Sequence, residues 1–328
     1  MHSIEGKKAL VTGGAGSIGS NLVKELLKLK CSVVVIDNLS SGFKENLPLG
    51  KIEFIQEDIL NENALKEIFS KNIDIVFHLA AQFANQNSVE HPVEDTMTNS
   101  IGTLKLLQLS QKNNVEKFIF SSSSCVYGSK GGSLKEDDAS FELDTPYAIN
   151  KLAGEQYVNF YHRFHGLNTT IMRYFNSYGP GERPGKYRNV IANFIFDALN
   201  SKPLVITGTG EETRDFTYVE DLARGTILAA QSDKTNGETI NVGTGREVKI
   251  KELVEKINKL TGNKAAIKFL ERRKWDSISK RLSSIRKAGQ LMGYAPKYAL
   301  DEGLKNTIEW FREKVISMIS VVIPVYNE

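Results

Sequence analysis

Short apolar runs alternate along the chain with longer segments whose hydrophobic residues recur every three or four positions. Residues 8–11, 33–36, 52–56, 73–79, 117–121 and 168–173 read as buried strands. Between the first two, Ile18, Leu22, Val23, Leu26 and Leu27 fall on one face of a helix. A second helical pattern spans about 93–113, and Pro146 opens a third with Thr145 placed to cap it. This alternation predicts an α/β fold built on a doubly wound parallel sheet. Past Tyr178 the pattern loosens into loops rich in glycine and proline, with helices predicted at 249–260 and 301–311. A smaller C-terminal α/β lobe is expected there.

The turn joining the first strand to the first helix reads Thr12-Gly13-Gly14-Ala15-Gly16-Ser17-Ile18-Gly19. Glycine lets the backbone turn tightly and approach a pyrophosphate, whose charge is held by free N–H groups at the helix N-terminus. Gly13, Gly16, Ser17, Ile18 and Gly19 are therefore candidates for a dinucleotide's phosphates, and the sheet for a Rossmann fold. The second strand ends in Asp37, where a carboxylate can accept from both ribose hydroxyls, and Asn38 is grouped with it. The other reading of Asp37 is a loop aspartate capping a turn. Asp37 repels a 2′-phosphate and no arginine precedes Arg163, so NAD is expected rather than NADP. Asp58, after the third strand, and Ile59 are candidates for the adenine end.

The 328 residues are 41% hydrophobic and 25% charged, without low-complexity segments or an evident repeat, as in a soluble globular protein. Cys31 and Cys125 lie by different strands and imply no disulfide framework, and no metal site is expected. No apolar leader precedes the glycine turn and no run is long enough to span a bilayer, so a cytoplasmic protein without a membrane partner is expected. Residues 1–150 carry 14 Lys+Arg against 19 Asp+Glu, whereas 151–328 carry 28 against 20 and hold all twelve arginines. This asymmetry reads either as solvated helix faces or as a lobe that grips an anionic substrate, since the arginine fork suits a diphosphate. The chain lacks a long basic stripe with interleaved aromatics, which sets nucleic acid aside.

Tyr147 and Lys151 lie four residues apart on the helix opened by Pro146, so they share a face. An ammonium beside a phenol favours the phenolate and lowers its pKa. The serine run 121–124 ends the fifth strand at the carboxyl edge of the sheet, and Ser123 is the candidate for holding the reacting oxygen. Together the motifs TGGAGSIGS (12–20), HLAA (78–81), NSIGT (99–103), SSSSCVYG (121–128) and YAINK (147–151) resemble, in kind and order, the extended short-chain dehydrogenase/reductase family. The resemblance covers residues 7 to about 313. It implies that Leu79, Ala80, Ala81, Asn99 and Tyr174 join Tyr147 and Lys151 at the cofactor. It also implies a NAD-binding domain over 1–177 and a substrate lobe over 178–314, some segments of which return to the first domain.

Within that family, Arg173-Tyr174-Phe175-Asn176-Ser177-Tyr178-Gly179-Pro180 and Thr213-Arg214-Asp215-Phe216-Thr217-Tyr218-Val219-Glu220-Asp221-Leu222 are similar to nucleotide-sugar 4-epimerases, the UDP-glucose 4-epimerase group above all. That likeness implies a nucleotide-diphosphate sugar, with UDP the expected nucleotide, touched by Ser123, Asn176, Asn189, Arg214 and Arg273, with Asp276 near the ribose. It also implies a homodimer paired through the helices around 93–113 and 146–165.

Dehydrating members of the family carry an Asp-Glu pair just after the catalytic hydroxyl, and decarboxylating members usually a Glu at the second position. Here Ser124 and Cys125 stand there. The resemblance then implies reversible oxidation, in which Tyr147 takes the proton of the sugar 4-hydroxyl, hydride passes from C4 to NAD, the 4-keto sugar turns over, and both return. Two positions depart from the pattern. Arg273-Lys274-Trp275-Asp276 replaces the common Arg-x-Gly-Asp, with Lys280 near the position that gauges sugar bulk, so an N-acetyl group or a uronate stays open. Cys125 is reminiscent of the epimerase-reductases that make GDP-fucose. A net nucleotide-sugar reductase is one rival expectation, and a non-enzymatic NAD-binding regulator on the same fold is another. Residues 320–328 look like the first strand of a family 2 glycosyltransferase, so 315–328 is expected to be an added tail.

Overall fold

The apolar runs pair side by side. In the computed structural model, which describes residues 2–272 and 278–316, seven strands form one sheet. They are β1 (Lys8–Thr12), β2 (Ser32–Ile36), β3 (Glu53–Ile55), β4 (Ile75–His78), β5 (Lys117–Ser123), β6 (Thr169–Tyr174) and β7 (Glu238–Val242). Their order is β7-β6-β5-β4-β1-β2-β3 and every pairing is parallel. The winding reverses between β1 and β4, which opens a crevice at the carboxyl ends of the strands where such sheets take ligands.

The helices between the strands are α1 (Ser17–Lys28), α2 (Glu62–Phe69), α3 (Asn85–Glu90), α4 (Pro92–Thr96), α5 (Thr103–Lys112) and α6 (Pro146–His165). Two more, α7 (Val190–Leu199) and α8 (Val219–Ala230), follow β6. Alternate residues of each strand feed opposite layers. Ala9, Val11, Val33 and Val35 pack with Leu22, Val23 and Leu26 of α1 and Leu222 of α8. Leu10, Val34, Val76, Phe118 and Ile171 pack on the other side with α2, α5 and α6. Because both faces are covered, the strands read as continuous apolar runs, each buried side chain contributing about 1.5–3 kcal/mol.

The helical pattern over 93–113 is interrupted. Between α4 and α5, Met97–Gly102 forms a π turn, with Gly102 so close to Ile59 that a Cβ would stand 2.5 Å from its Cδ1. β7 was absent from the sequence expectation, because its partner β6 precedes it by more than sixty residues and only that pairing selects it. The parts also exchange strands. Ser133–Leu134, from the N-terminal part, pairs with Lys280–Ser283 of the C-terminal part. The lobe has its own core, in which Ile191, Phe194 and Ile195 of α7 meet Leu253, Ile257, Leu304 and Phe311.

Cys31 and Cys125 are free thiols. Among the described residues no helix is long and apolar enough to cross a membrane, and no His, Cys, Asp and Glu cluster could hold a metal ion. Arg273, Asp276 and residues 317–328, which include the glycosyltransferase-like stretch, lie outside the described residues.

Candidate active site

At the β1–β4 crevice the chain turns at Gly13, φ 69°, where a Cβ would stand 2.7 Å from the Ala80 nitrogen. Glycine is required there. At Gly19 a Cβ would meet the Gly13 carbonyl oxygen at 2.3 Å, so its absence lets α1 close onto the strand end. Gly16 caps α1 without a side chain, leaving the first N–H groups of the helix for an anion. Asp37 caps its loop and lines the crevice. Its carboxylate accepts from Ala15 N at 2.9 Å and Leu39 N at 2.8 Å, which fixes the loop, and it also faces the crevice with lone pairs to spare. Burial raises its pKa, and the two backbone bonds oppose the rise. Asn38 donates to Asp58 at 2.7 Å.

These residues line one cavity of about 1640 Å³ together with Leu79 to Ala81, Ser123, Tyr147, Lys151 and Tyr174, and with Asn176, Asn189 and Arg214 on the lobe side. Asn99 is different. It is buried behind the wall, accepting from Gln82 N at 3.1 Å and donating to Gln82 O at 3.0 Å, so it acts by holding the wall segment that follows β4. His78 is likewise internal, bonded to Thr12 and Thr103 at 2.8 Å each, and burial lowers its pKa to about 3, which keeps it neutral.

The catalytic candidates converge because two elements end in caps. Thr145 Oγ1 accepts from Ala148 N at 3.3 Å and starts α6, whose inner face carries Tyr147 and Lys151. Ser123 ends β5, accepts from Cys125 N at 3.1 Å and lines the cavity beside Tyr147. Lys151, 2% exposed, donates to Ser121 O at 2.9 Å, and its Nζ lies 5.1 Å from the Phe120 ring and 5.8 Å from that of Tyr147. Burial lowers its pKa from 10.5 to about 8, with Asp95 and Glu155 pulling the other way. Burial reverses the expectation for Tyr147. Burial pushes its pKa above the usual range, Cys125 and Asp95 add to the rise, and only Ser123 opposes it. Helical spacing puts the lysine on the same face, but desolvation decides the direction of the shift.

Behind the triad, Arg173 Nε and Nη2 grip Glu155 bidentately at 2.8 and 2.7 Å, both side chains buried. Ser122 donates to the same carboxylate, and Tyr127 links Arg173 to Asn241 of β7. Four elements next to the site are thereby locked, and a buried pair of this kind is tolerated because its hydrogen bonds are made. On the lobe side, residues 180–189 strap across the cavity. Pro180 O accepts from Ser17 and Asn21 at 3.0 Å, Arg183 stacks 4.2 Å from the Phe43 ring, and Glu90 of α3 takes Lys186 and Tyr187 at 2.7 and 2.5 Å. Sequence reasoning found only Asn189 of this strap, whose amide donates to Ser177 O at 3.1 Å.

Comparison with known proteins agrees with this geometry. A family model described as the NAD dependent epimerase/dehydratase family matches residues 9–243. The chain belongs to the NAD-dependent epimerase/dehydratase family. It is thus an enzyme of the extended short-chain dehydrogenase/reductase type, and its cofactor is NAD. The solved structure of epimerase Mth375 of Methanothermobacter thermautotrophicus superposes with a TM-score of 0.94 at 46% identity, over 97% of this chain and 95% of that one. The UDP-glucose 4-epimerase of Thermotoga maritima, solved with UDP-glucose, superposes at 0.89 and 38% identity, over 93% and 99%. A UDP-N-acetyl-alpha-D-glucosaminuronate decarboxylase of Bacillus cytotoxicus is 38% identical over 320 residues, 94% of this chain and 98% of that one.

The family motifs of the lobe divide by role in this fold. In the segment from Thr213 to Leu222, Arg214 faces the cavity and donates to Thr213 O at 2.9 Å. Asp215 is instead a buried hub that accepts from Gly245 N, Thr244 and Ser283, and Asp221 accepts from Lys297 N and Tyr298 N. Asn176, φ 21°, donates to Asp215 O at 3.0 Å while lining the cavity. The epimerase/dehydratase cleft therefore has a lobe wall pinned by two aspartates whose part in it is purely structural.

Proposed function

We propose that the protein is a UDP-hexose 4-epimerase that inverts C4 through a transient 4-keto sugar. The observation that carries this reading is the Ser123–Tyr147–Lys151 convergence on the cavity wall, followed by Ser124 and Cys125 where eliminating or decarboxylating chemistry needs carboxyl groups. The dinucleotide fits where added Cβ atoms would collide, at Gly13 and Gly19, with Gly16, Ser17 and Ile18 at its phosphates and Asp37 and Asn38 at a ribose. When bound, NAD supplies a hydride acceptor for C4 and a positive charge that favours ionised Tyr147.

Tyr147 removes the proton from the 4-hydroxyl and later returns it. Ser123 hydrogen-bonds the reacting oxygen in both directions. Lys151, one helical turn on, keeps the tyrosine's charge near its working state. Asn176, Asn189 and Arg214 hold the nucleotide diphosphate, with Arg273 and Asp276 assigned to it by family likeness. The cavity's volume leaves room for the ketone to turn and present its other face, so stereochemistry inverts without net redox change. The relatives solved or characterised with UDP-linked sugars support UDP as the handle.

The NAD-binding part spans 1–177 and the substrate lobe 178–314, with β7 returned to the sheet. Val93, Met97, Ile149, Phe160 and Phe164 form an exposed apolar face on α4, the π turn and α6, and this face makes a homodimer. Light scattering should give twice the chain mass, whereas a monomer at working concentration would remove the dimer from the account. Incubating the protein with UDP-glucose and no added cofactor should yield UDP-galactose on anion-exchange chromatography. If NAD-containing protein converts no UDP-hexose, the reading fails.

A further inference from the structure

The wall segment 82–87 carries a backbone feature that the proposed chemistry leaves unused. Ala84 has φ 86° and ψ 136°, a conformation costly for any residue with a side chain. Such strain persists where surrounding contacts over-determine it, and here those contacts are polar. Asn99 clamps Gln82 through both backbone groups. On the far side of Ala84, Asn85 Oδ1 accepts from Thr145 Oγ1 at 2.9 Å. The Thr145 hydroxyl, which also accepts from Ala148 N, gives its single proton to that oxygen, and this bond orients the amide.

The Asn85 NH₂ therefore points the other way. Its one further partner among the described residues is the Cys125 sulfur at 3.6 Å, a weak acceptor, which leaves the second N–H unspent on the cavity wall. Thr145 stands two residues before Tyr147, and Cys125 two residues after Ser123. The amide thus hangs between the two backbone segments that carry the catalytic hydroxyls.

Resting on the UDP-hexose reading above, we infer that Asn85 is a specificity-determining residue that donates a hydrogen bond to an oxygen substituent on a carbon flanking the reacting C4, the 3-hydroxyl or the 6-oxygen of the sugar. The strained turn at Ala84 aims that donor, and Thr145 couples it to the cap of the helix bearing Tyr147. Phe83, whose ring lies edge-on to Tyr147 with centroids 6.2 Å apart, closes the apolar side of the same corner.

The test compares NAD-loaded wild type, Asn85→Leu and Asn85→Asp on UDP-glucose and on its 3-deoxy and 6-deoxy analogues. Both variants lack the N–H, but Asp keeps the acceptor for Thr145, so a fold defect in one does not obscure the other. NAD content monitors the fold. Loss of one neutral hydrogen bond should lower kcat/KM for UDP-glucose roughly tenfold in both variants, with no further loss on the analogue lacking the oxygen that Asn85 reads. Equal losses on all three sugars, or no loss on UDP-glucose, would overturn the assignment. Calorimetric binding of the same sugars to the same proteins separates this failure from that of the parent reading. Wild type that neither binds nor converts any UDP-hexose refutes the parent reading, whereas wild type that binds UDP-glucose without a deoxy contrast refutes only the role of Asn85.

Discussion

Lys151 should cost the cofactor-free fold stability that its removal returns. Its folded pKa is about 8 against an ordinary 10.5, because the ammonium is desolvated between β5 and α6. At about 1.4 kcal/mol per pH unit, holding that charge costs about 3 kcal/mol. The folded protein gives up the proton near pH 8 and the unfolded chain near 10.5, so the cost is full below pH 8, shrinks between the two values, and is gone above them. Lys151→Met removes this pH-dependent cost and, at every pH, the bond to Ser121 O. The stability of the variant relative to wild type should therefore fall by about 2 kcal/mol between pH 7 and pH 9.5. Urea unfolding of NAD-free protein at the two pH values reads the difference, and the other titrating groups cancel between the proteins. A stability gap that does not move with pH would refute the burial argument, whatever its size at pH 7.

Three further changes probe separate parts of the site. Tyr147→Phe should abolish nearly all turnover while the purified protein retains its NAD, and wild-type activity in that variant would remove Tyr147 from proton transfer. Asp37→Ala should lower the NAD content of purified protein at least severalfold, measured after acid release, because the proposed ribose acceptor and the anchor of Ala15 and Leu39 are lost together. Unchanged content would move the ribose contact elsewhere. Arg183→Ala unpins the strap from Phe43 and Glu45 and should speed NAD loss on gel filtration without altering the chemical step; retention equal to wild type would show that the strap does not hold the cofactor.

Features encoded within a few residues were legible in the sequence. The glycine turn, the carboxylate ending β2, the Thr145 cap and the Tyr147/Lys151 spacing each rest on local geometry; the first, second and fourth line one cavity, and the cap starts the helix that carries Tyr147 and Lys151. Features set by tertiary partners were not. β7 gains its identity from pairing with β6, the Glu155–Arg173 pair joins residues eighteen apart on α6 and β6, and Asn99 turns toward Gln82 because a π turn rotates it there. The direction of Tyr147's pKa was missed for a related reason. Helical spacing fixes which charge is near, but how much water surrounds a phenol depends on every element packed over it. Ala84 gave no signal, since nothing in its sequence neighbourhood distinguishes an alanine forced to positive φ from an ordinary one.

The central claim is that hydride leaves C4 and returns to it within one active site. Proton NMR of the purified protein with UDP-glucose in deuterated water, with no cofactor added, tests it directly. The account predicts that UDP-galactose signals appear with full proton intensity at C4, since the hydride never exchanges with solvent. Deuterium at C4, stoichiometric accumulation of a reduced product, or unchanged UDP-glucose in protein shown to contain NAD would contradict it.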